Sequence, residues 1–187
     1  MEKYVIAVDA MGGDNAPDAI VLGALDALRR FDDIRILLAG PKAKIEPLLA
    51  NAGDVKNRVE IIEADEVIGM DESPMIAVRK KVNSSLVQAM MAVRDKRAGA
   101  VVSAGSTGAL LAGGMLRIGR IRGIERPALA PILPSEGNSF MLIDSGANVD
   151  CQPKYLVQFG LMGKNSAWKK NADGTWSAGT PTPGAAN

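Results

Sequence analysis

Uninterrupted apolar runs that stop at glycine-rich turns and give way to helical spacing recur along this chain. Residues 5–8 form a continuous apolar run of the kind found in strands buried on both faces of a parallel sheet. After Gly12 and Gly13, the residues Ile20, Val21, Ala24, Leu25 and Leu28 recur at helical spacing, from a start marked by Pro17 and Asp18. Residues 35–39 read as a second strand, punctuated by Gly40 and Pro41, which completes a βαβ unit.

The alternation continues. A short helix is predicted over 44–50, a third strand over 59–63, and a helix from Ser73 and Pro74 toward Lys81. Ser84 or Ser85 caps the next helix, whose apolar positions Leu86, Val87, Met90, Met91 and Val93 lead to Gly99. A strand over 100–103, a glycine turn and a helix over 109–118 follow, and strands over 128–133 and 140–143 extend the repeat. The expected class is α/β, with a mostly parallel sheet and right-handed connections. From about residue 163 the chain turns rich in Asn, Gly, Thr, Pro and Ala, and 163–187 is expected to be a disordered or loosely attached tail.

Three segments share one plan: Tyr4-Val-Ile-Ala-Val-Asp-Ala-Met-Gly-Gly-Asp14, Ala100-Val-Val-Ser-Ala-Gly-Ser-Thr-Gly-Ala109 and Phe140-Met-Leu-Ile-Asp-Ser-Gly-Ala-Asn148. In an open α/β sheet such turns gather at the carboxyl ends of the strands, where ligands bind. Gly105 and Gly108, with the hydroxyls of Ser103, Ser106 and Thr107, suit an anion such as phosphate, because helix N-termini present N–H groups without internal partners. Asp9, Asp14, Asp144 and Asp150 fall beside these turns, either as turn-holding groups or as functional ones, and Arg79, Lys80 and Lys81 are the densest basic cluster. Better-known glycine motifs fail. A P-loop needs Lys then Ser or Thr where Ala109 and Leu110 stand, and no G-x-G-x-x-G follows any strand, so a nicotinamide cofactor has no support.

Composition narrows the chemistry further. The 187 residues, 47% of them hydrophobic, suffice for one domain with a real core. With 22 Lys plus Arg against 21 Asp plus Glu, there is no excess of positive charge of the kind nucleic-acid binding leaves. The chain has no histidine, which excludes Ser-His-Asp, Cys-His and zinc-hydrolase sites. Its single cysteine, Cys151, reads as a buried or half-buried thiol and fits a reducing, cytoplasmic setting. The N-terminus shows no signal-peptide pattern, and the least polar stretch, 100–115, is short for a membrane span. Neither a metal nor a cofactor is called for.

The string Val8-Asp-Ala-Met-Gly-Gly-Asp-Asn-Ala-Pro17 resembles the opening motif of the bacterial phosphate acyltransferases of phospholipid synthesis, the PlsX family. The resemblance continues through Met70-Asp-Glu-Ser-Pro74, Arg79-Lys-Lys81, Val102-Ser-Ala-Gly-Ser-Thr-Gly-Ala109, Gly123-Ile-Glu-Arg-Pro-Ala128 and Asp144-Ser-Gly-Ala-Asn-Val-Asp150. It covers 1–162. It implies a three-layer Rossmann-like sandwich related to phosphotransacetylases, and an enzyme that makes acyl phosphate from fatty acyl-acyl carrier protein and inorganic phosphate. It also implies a cytoplasmic homodimer associated peripherally with the inner face of the cell membrane. Carried onto this chain, it makes Asp9, Lys80 and Asn148 the catalytic candidates. Phosphate binding falls to Gly12, Gly13, Asn15, Arg79, Ser103, Gly105, Ser106, Thr107 and Gly108. Family members often carry Asn where this chain has Ser106.

Length is the departure, since such proteins run to about twice this size. The segment 171–187 resembles instead the end of a bacterial lamin-tail-like domain, which implies a truncation, frameshift or fusion. The sheet is then expected to be incomplete, with an open edge and exposed apolar surface that favour aggregation or a partner. Two other readings share the phosphate turn: a phosphotransacetylase-like enzyme using acyl coenzyme A, and a non-catalytic phosphate-binding remnant.

Overall fold

Alternating inward positions along two central strands decide the architecture. The computed structural model describes residues 4–136, 138–148, 150–165, 168–170 and 176–178. They fall into two compact units, Met1–Gly119 and Arg120–Asn187.

The first unit carries β1 (Tyr4–Asp9), α1 (Asp18–Arg30), β2 (Ile34–Gly40), α2 (Lys42–Ile45), β3 (Val59–Glu63), α3 (Pro74–Lys80), α4 (Ser85–Arg94), β4 (Ala100–Val102) and α5 (Thr107–Gly113). The four strands form one parallel sheet in the order β3-β2-β1-β4, with Val8 opposite Leu38 on one side and Val102 on the other. Val8, Ala10, Ile34, Ile36 and Leu38 face α1, packing on Val21, Ala24, Leu25 and Leu28. Ala7, Leu37 and Ala39 face the opposite way, onto Ala89 and Ala92 of α4. Helices on both faces make this a three-layer sandwich, as expected. Burial of each large side chain such as Leu25, Leu28 or Leu38 contributes about 2 kcal/mol. The Arg58 guanidinium donates to the carbonyls of Phe31, at 2.7 Å, and Leu28, closing the carboxyl end of α1.

Several boundaries differ from the sequence expectation. Of the 44–50 segment only Lys44 and Ile45 are α-helical, as the end of α2; Glu46–Asn51 tightens into 3₁₀ geometry, where Pro47 supplies no N–H. Of the two expected caps of α4, Ser84 is the one that forms, its hydroxyl accepting from the Val87 N–H at 3.4 Å. The helix expected from residue 109 starts at Thr107, and a π-helical turn, Gly114–Ile118, continues it. β4, like β3, is an outer strand of the sheet, with Val102 54% exposed.

The second unit corrects the expectation that the parallel repeat runs on. β5 (Ile132–Ser135) and β6 (Asn138–Met141) form an antiparallel hairpin with a sheet of their own. The physical reason is length: parallel neighbours need a crossover of a dozen or more residues, and the chain between these strands allows only a tight turn. α6 (Pro153–Asn165) follows, then a short antiparallel pair, β7 (Trp168–Lys170) and β8 (Trp176–Ala178). Of the tail expected over 163–187, residues 166–167, 171–175 and 179–187 lie outside the described residues. Cys151 is exposed, contrary to the buried or half-buried expectation.

Candidate functional site

β1 and β4 are adjacent and parallel, so their carboxyl ends deliver two glycine turns to one place. Asp9, the last residue of β1, is 3% exposed, and its Oδ2 accepts the Ser103 hydroxyl at 2.7 Å from the turn after β4. Oδ1 of the same carboxylate accepts the Met11 N–H at 3.3 Å. Ser103 Oγ in turn accepts the Gly105 N–H at 3.1 Å. One buried carboxylate thus holds both turns, through charge-assisted hydrogen bonds that are stronger than neutral ones.

The first turn lies against the second with no room for a side chain. A Cβ on Gly12 would stand 2.6 Å from Asp9 Oδ2, 2.8 Å from Ser103 Oγ and 2.9 Å from the Gly105 nitrogen. Gly13 has φ of 101° and rests on Ala104, so it too is tied to glycine, by backbone conformation.

Beyond this junction Ser106 caps α5. Its hydroxyl accepts the Ala109 N–H at 3.2 Å, and the residue is 8% exposed. The N–H groups of Thr107 and Gly108, the first of the helix, have no intrahelical acceptor and sit at its positive end. Pro74, the first residue of α3, packs on Gly108, where an added Cβ would be 2.8 Å from its Cγ.

Asp9, Gly12, Gly13, Ser103 and Gly105 are therefore brought together, with Ser106, Thr107 and Gly108 directly following. Ser103 gives its proton to Asp9, which makes it a holder of the turn rather than a free donor to an anion. Asn15 is exposed just before α1, where its carbonyl accepts the Ala19 N–H. Arg79 and Lys80 occupy the last turn of α3, about 8 Å along its axis from the end that meets Gly108. Both are exposed, and neither forms an ion pair among the described residues. Lys81, the third member of that cluster, is bound to Glu72 Oε1 at 2.6 Å and to the Val67 carbonyl at 2.7 Å. Those contacts, the Lys81 hydrogen bond first and the Gly69 N–H second, hold the Glu72 carboxyl below its ordinary value.

Asn148 belongs to the second unit. Its side-chain amide donates to Asp144 Oδ1 at 3.0 Å and to the Pro127 carbonyl at 3.2 Å. Cys151 Sγ lies 3.6 Å from Asp144 Oδ2, and partial desolvation, then that hydrogen bond and the Asp144 charge, push its thiol up. Sequence reasoning missed the Asp9–Ser103 link and the Pro74–Gly108 contact; no local pattern joins residues so far apart in the chain. Among the described residues no cluster of three or more Cys, Asp or Glu is arranged to hold a metal.

The fold class defined by this sheet and its turns is that of the phosphotransacetylases. A crystal structure of a phosphotransacetylase from Streptococcus pyogenes superposes with a TM-score of 0.61 at 19% identity, over 88% of this chain and 52% of that one. That likeness shows the fold. The chain belongs to the fatty acid synthesis protein family, whose pattern it matches over residues 4–176. A phosphate acyltransferase of Clostridium beijerinckii is 54% identical over 159 residues, which are 85% of this chain and 48% of the relative. One from Clostridium acetobutylicum is 51% identical over 160 residues, 86% of this chain and 48% of its own length. The chain spans about half the length of the curated relatives it matches.

Proposed function

We propose that this chain is the N-terminal half of a phosphate acyltransferase, which transfers the acyl group of fatty acyl-acyl carrier protein to inorganic phosphate and yields acyl phosphate for phospholipid synthesis. The observation that carries the reading is the 54% identity to a phosphate acyltransferase over 159 residues, alongside a family match over residues 4–176 that includes both glycine turns. The junction of those turns supports it: Gly12 permits close backbone approach, and the Thr107 and Gly108 N–H groups offer an anion two donors at a helix start.

In this reading a phosphate oxygen attacks the thioester carbonyl, a C–O bond forms, and the C–S bond breaks. The carrier leaves as a thiolate, and a thiol with an ordinary pKa of about 8.5 needs no strong acid to depart. Phosphate is already anionic at neutral pH, so a chain without histidine loses nothing at this step. The turns position the nucleophile, and fixed N–H donors stabilise the charge that develops. Asp9 keeps the two turns in register, with Gly12 against Gly105 and Gly13 against Ala104, and Asn15 enters the reading as an organiser of the opposing loop. Asn148, a homodimeric state and a cytoplasmic site at the inner face of the membrane enter the reading from the family resemblance. Among the described residues no helix is long and apolar enough to cross a membrane.

The test is thiol release from long-chain acyl-acyl carrier protein, with and without phosphate, alongside calorimetric phosphate titration. Phosphate-dependent release with acyl phosphate formed is the expected result for a working site. Phosphate binding without release assigns the acyl step to residues outside this chain, release from acyl coenzyme A alone points to a phosphotransacetylase, and absence of phosphate binding overturns the reading.

A further inference from the structure

α3 turns one face inward and leaves the other uncovered. Ala77 and Val78 are buried, whereas Met75 is 38% exposed and Ile76 54%. Arg79 and Lys80 stand one turn further on, at i+4 from Met75 and Ile76, so the outward face is apolar at its start and doubly basic at its end. Met70, 65% exposed, sits on the loop just before the helix. That loop is closed at its base by Glu72, which accepts the Gly69 N–H at 2.6 Å and holds Lys81. Arg117 donates to the Val78 and Arg79 carbonyls at 2.6 and 3.4 Å, adding a third positive charge and fixing the carboxyl end of α3. Glu72 is neutralised by Lys81; of the other acidic groups between β3 and α3, Asp65 and Glu66 accept hydrogen bonds from Asn83 and Asp71 is exposed.

We infer that this outward face of α3 is the docking surface for the carrier that brings the acyl thioester, a partner presenting an acidic helix with apolar side chains. The inference rests on the functional reading above and places the partner on the chain. Charge complementarity selects the occupant: Arg79 and Lys80 have no ion pair of their own among the described residues, and the Met75–Ile76 patch beside them suits an apolar helix side. Position is the second argument. The same helix touches Gly108 through Pro74, so a carrier seated on α3 holds its thioester arm within about 10 Å of the glycine turns. Methionines suit such a surface because their flexible side chains repack around varied contacts. Arg79 and Lys80 thereby steer the carrier instead of contacting phosphate.

The experiment measures binding of fluorescently labelled acyl-acyl carrier protein to the full 187-residue chain. Arg79→Glu with Lys80→Glu is expected to weaken binding about tenfold at low salt, and the unaltered chain to weaken similarly as salt is raised. Ile76→Asp is expected to weaken it without that salt dependence. Lys44→Glu with Lys56→Glu makes the same change in net charge at exposed positions elsewhere and is expected to shift binding less than twofold. Equal binding by the α3 variant, an equal loss in the control, or no carrier binding by the unaltered chain each overturns the inference. Loss of binding to anionic vesicles with carrier binding intact also overturns it and assigns the face to a lipid surface. Calorimetric phosphate titration, run in parallel, separates failure of this surface from failure of the phosphate site.

Discussion

Asp9 and Asp144 occupy matching places in the sequence, each ending an apolar run and followed within three residues by glycine, yet they do different things. Asp9 is buried and bonds Ser103, 94 residues away, so it joins two strands of one sheet. Asp144 is in the left-handed region with φ of 62°, and its partners are Asn148 and Cys151, four and seven residues on. The first carboxylate organises a site between elements, and the second closes its own loop. A shared local motif therefore does not imply a shared set of contacts. What separates them is whether the preceding strand has a parallel neighbour that delivers a second turn.

The largest effect that breaks this contrast is expected at Gly12. Gly12→Val drives a side chain into Asp9, Ser103 and Gly105, and is expected to cost about 3 kcal/mol in urea unfolding and to abolish phosphate binding. A variant of wild-type stability would mean that the two turns do not lie in contact. Asp9→Ala comes next. Removing a buried carboxylate that accepts two hydrogen bonds is expected to cost about 2 kcal/mol, with phosphate affinity reduced, whereas the matching Asp144→Ala is expected to leave phosphate affinity alone. Calorimetry on the pair would show whether only the first aspartate serves the site.

Ser106→Ala removes the cap of α5 and is expected to cost about 1 kcal/mol, read from the thermal midpoint. The smallest effect is a matter of pH in the second unit. Because desolvation and Asp144 favour the neutral Cys151 thiol, its alkylation rate should rise with pH to a midpoint above that of an ordinary thiol. Asp144→Asn removes the negative charge while keeping a residue that tolerates positive φ. It is expected to shift that midpoint down and to speed alkylation at pH 8. An unchanged profile would show that Asp144 does not reach the thiol.

Much of the first unit was legible in the residues themselves. The continuous apolar run before Asp9 announced a strand buried on both faces, and the spacing of Val21, Ala24, Leu25 and Leu28 gave the inner face of α1. The candidate glycine turns were equally visible, because glycine and hydroxyl residues between a strand and a helix are a local signal. Reading on past β4 failed where the same apolar signal supports either a parallel strand or a hairpin, and there the length of the connection decided in favour of β5 and β6.

From its sequence alone this chain is an α/β protein without histidine chemistry, carrying turns suited to an anion, because periodicity, composition and turn residues act over a few positions at a time. Only tertiary structure decided which turns meet. It set Asp9 on Ser103 and Gly12 on Gly105, made Ser103 a strut, and moved Arg79 and Lys80 to the far end of a helix from Gly108. These outcomes depend on the order of strands in the sheet, and that order follows from burying both faces at once.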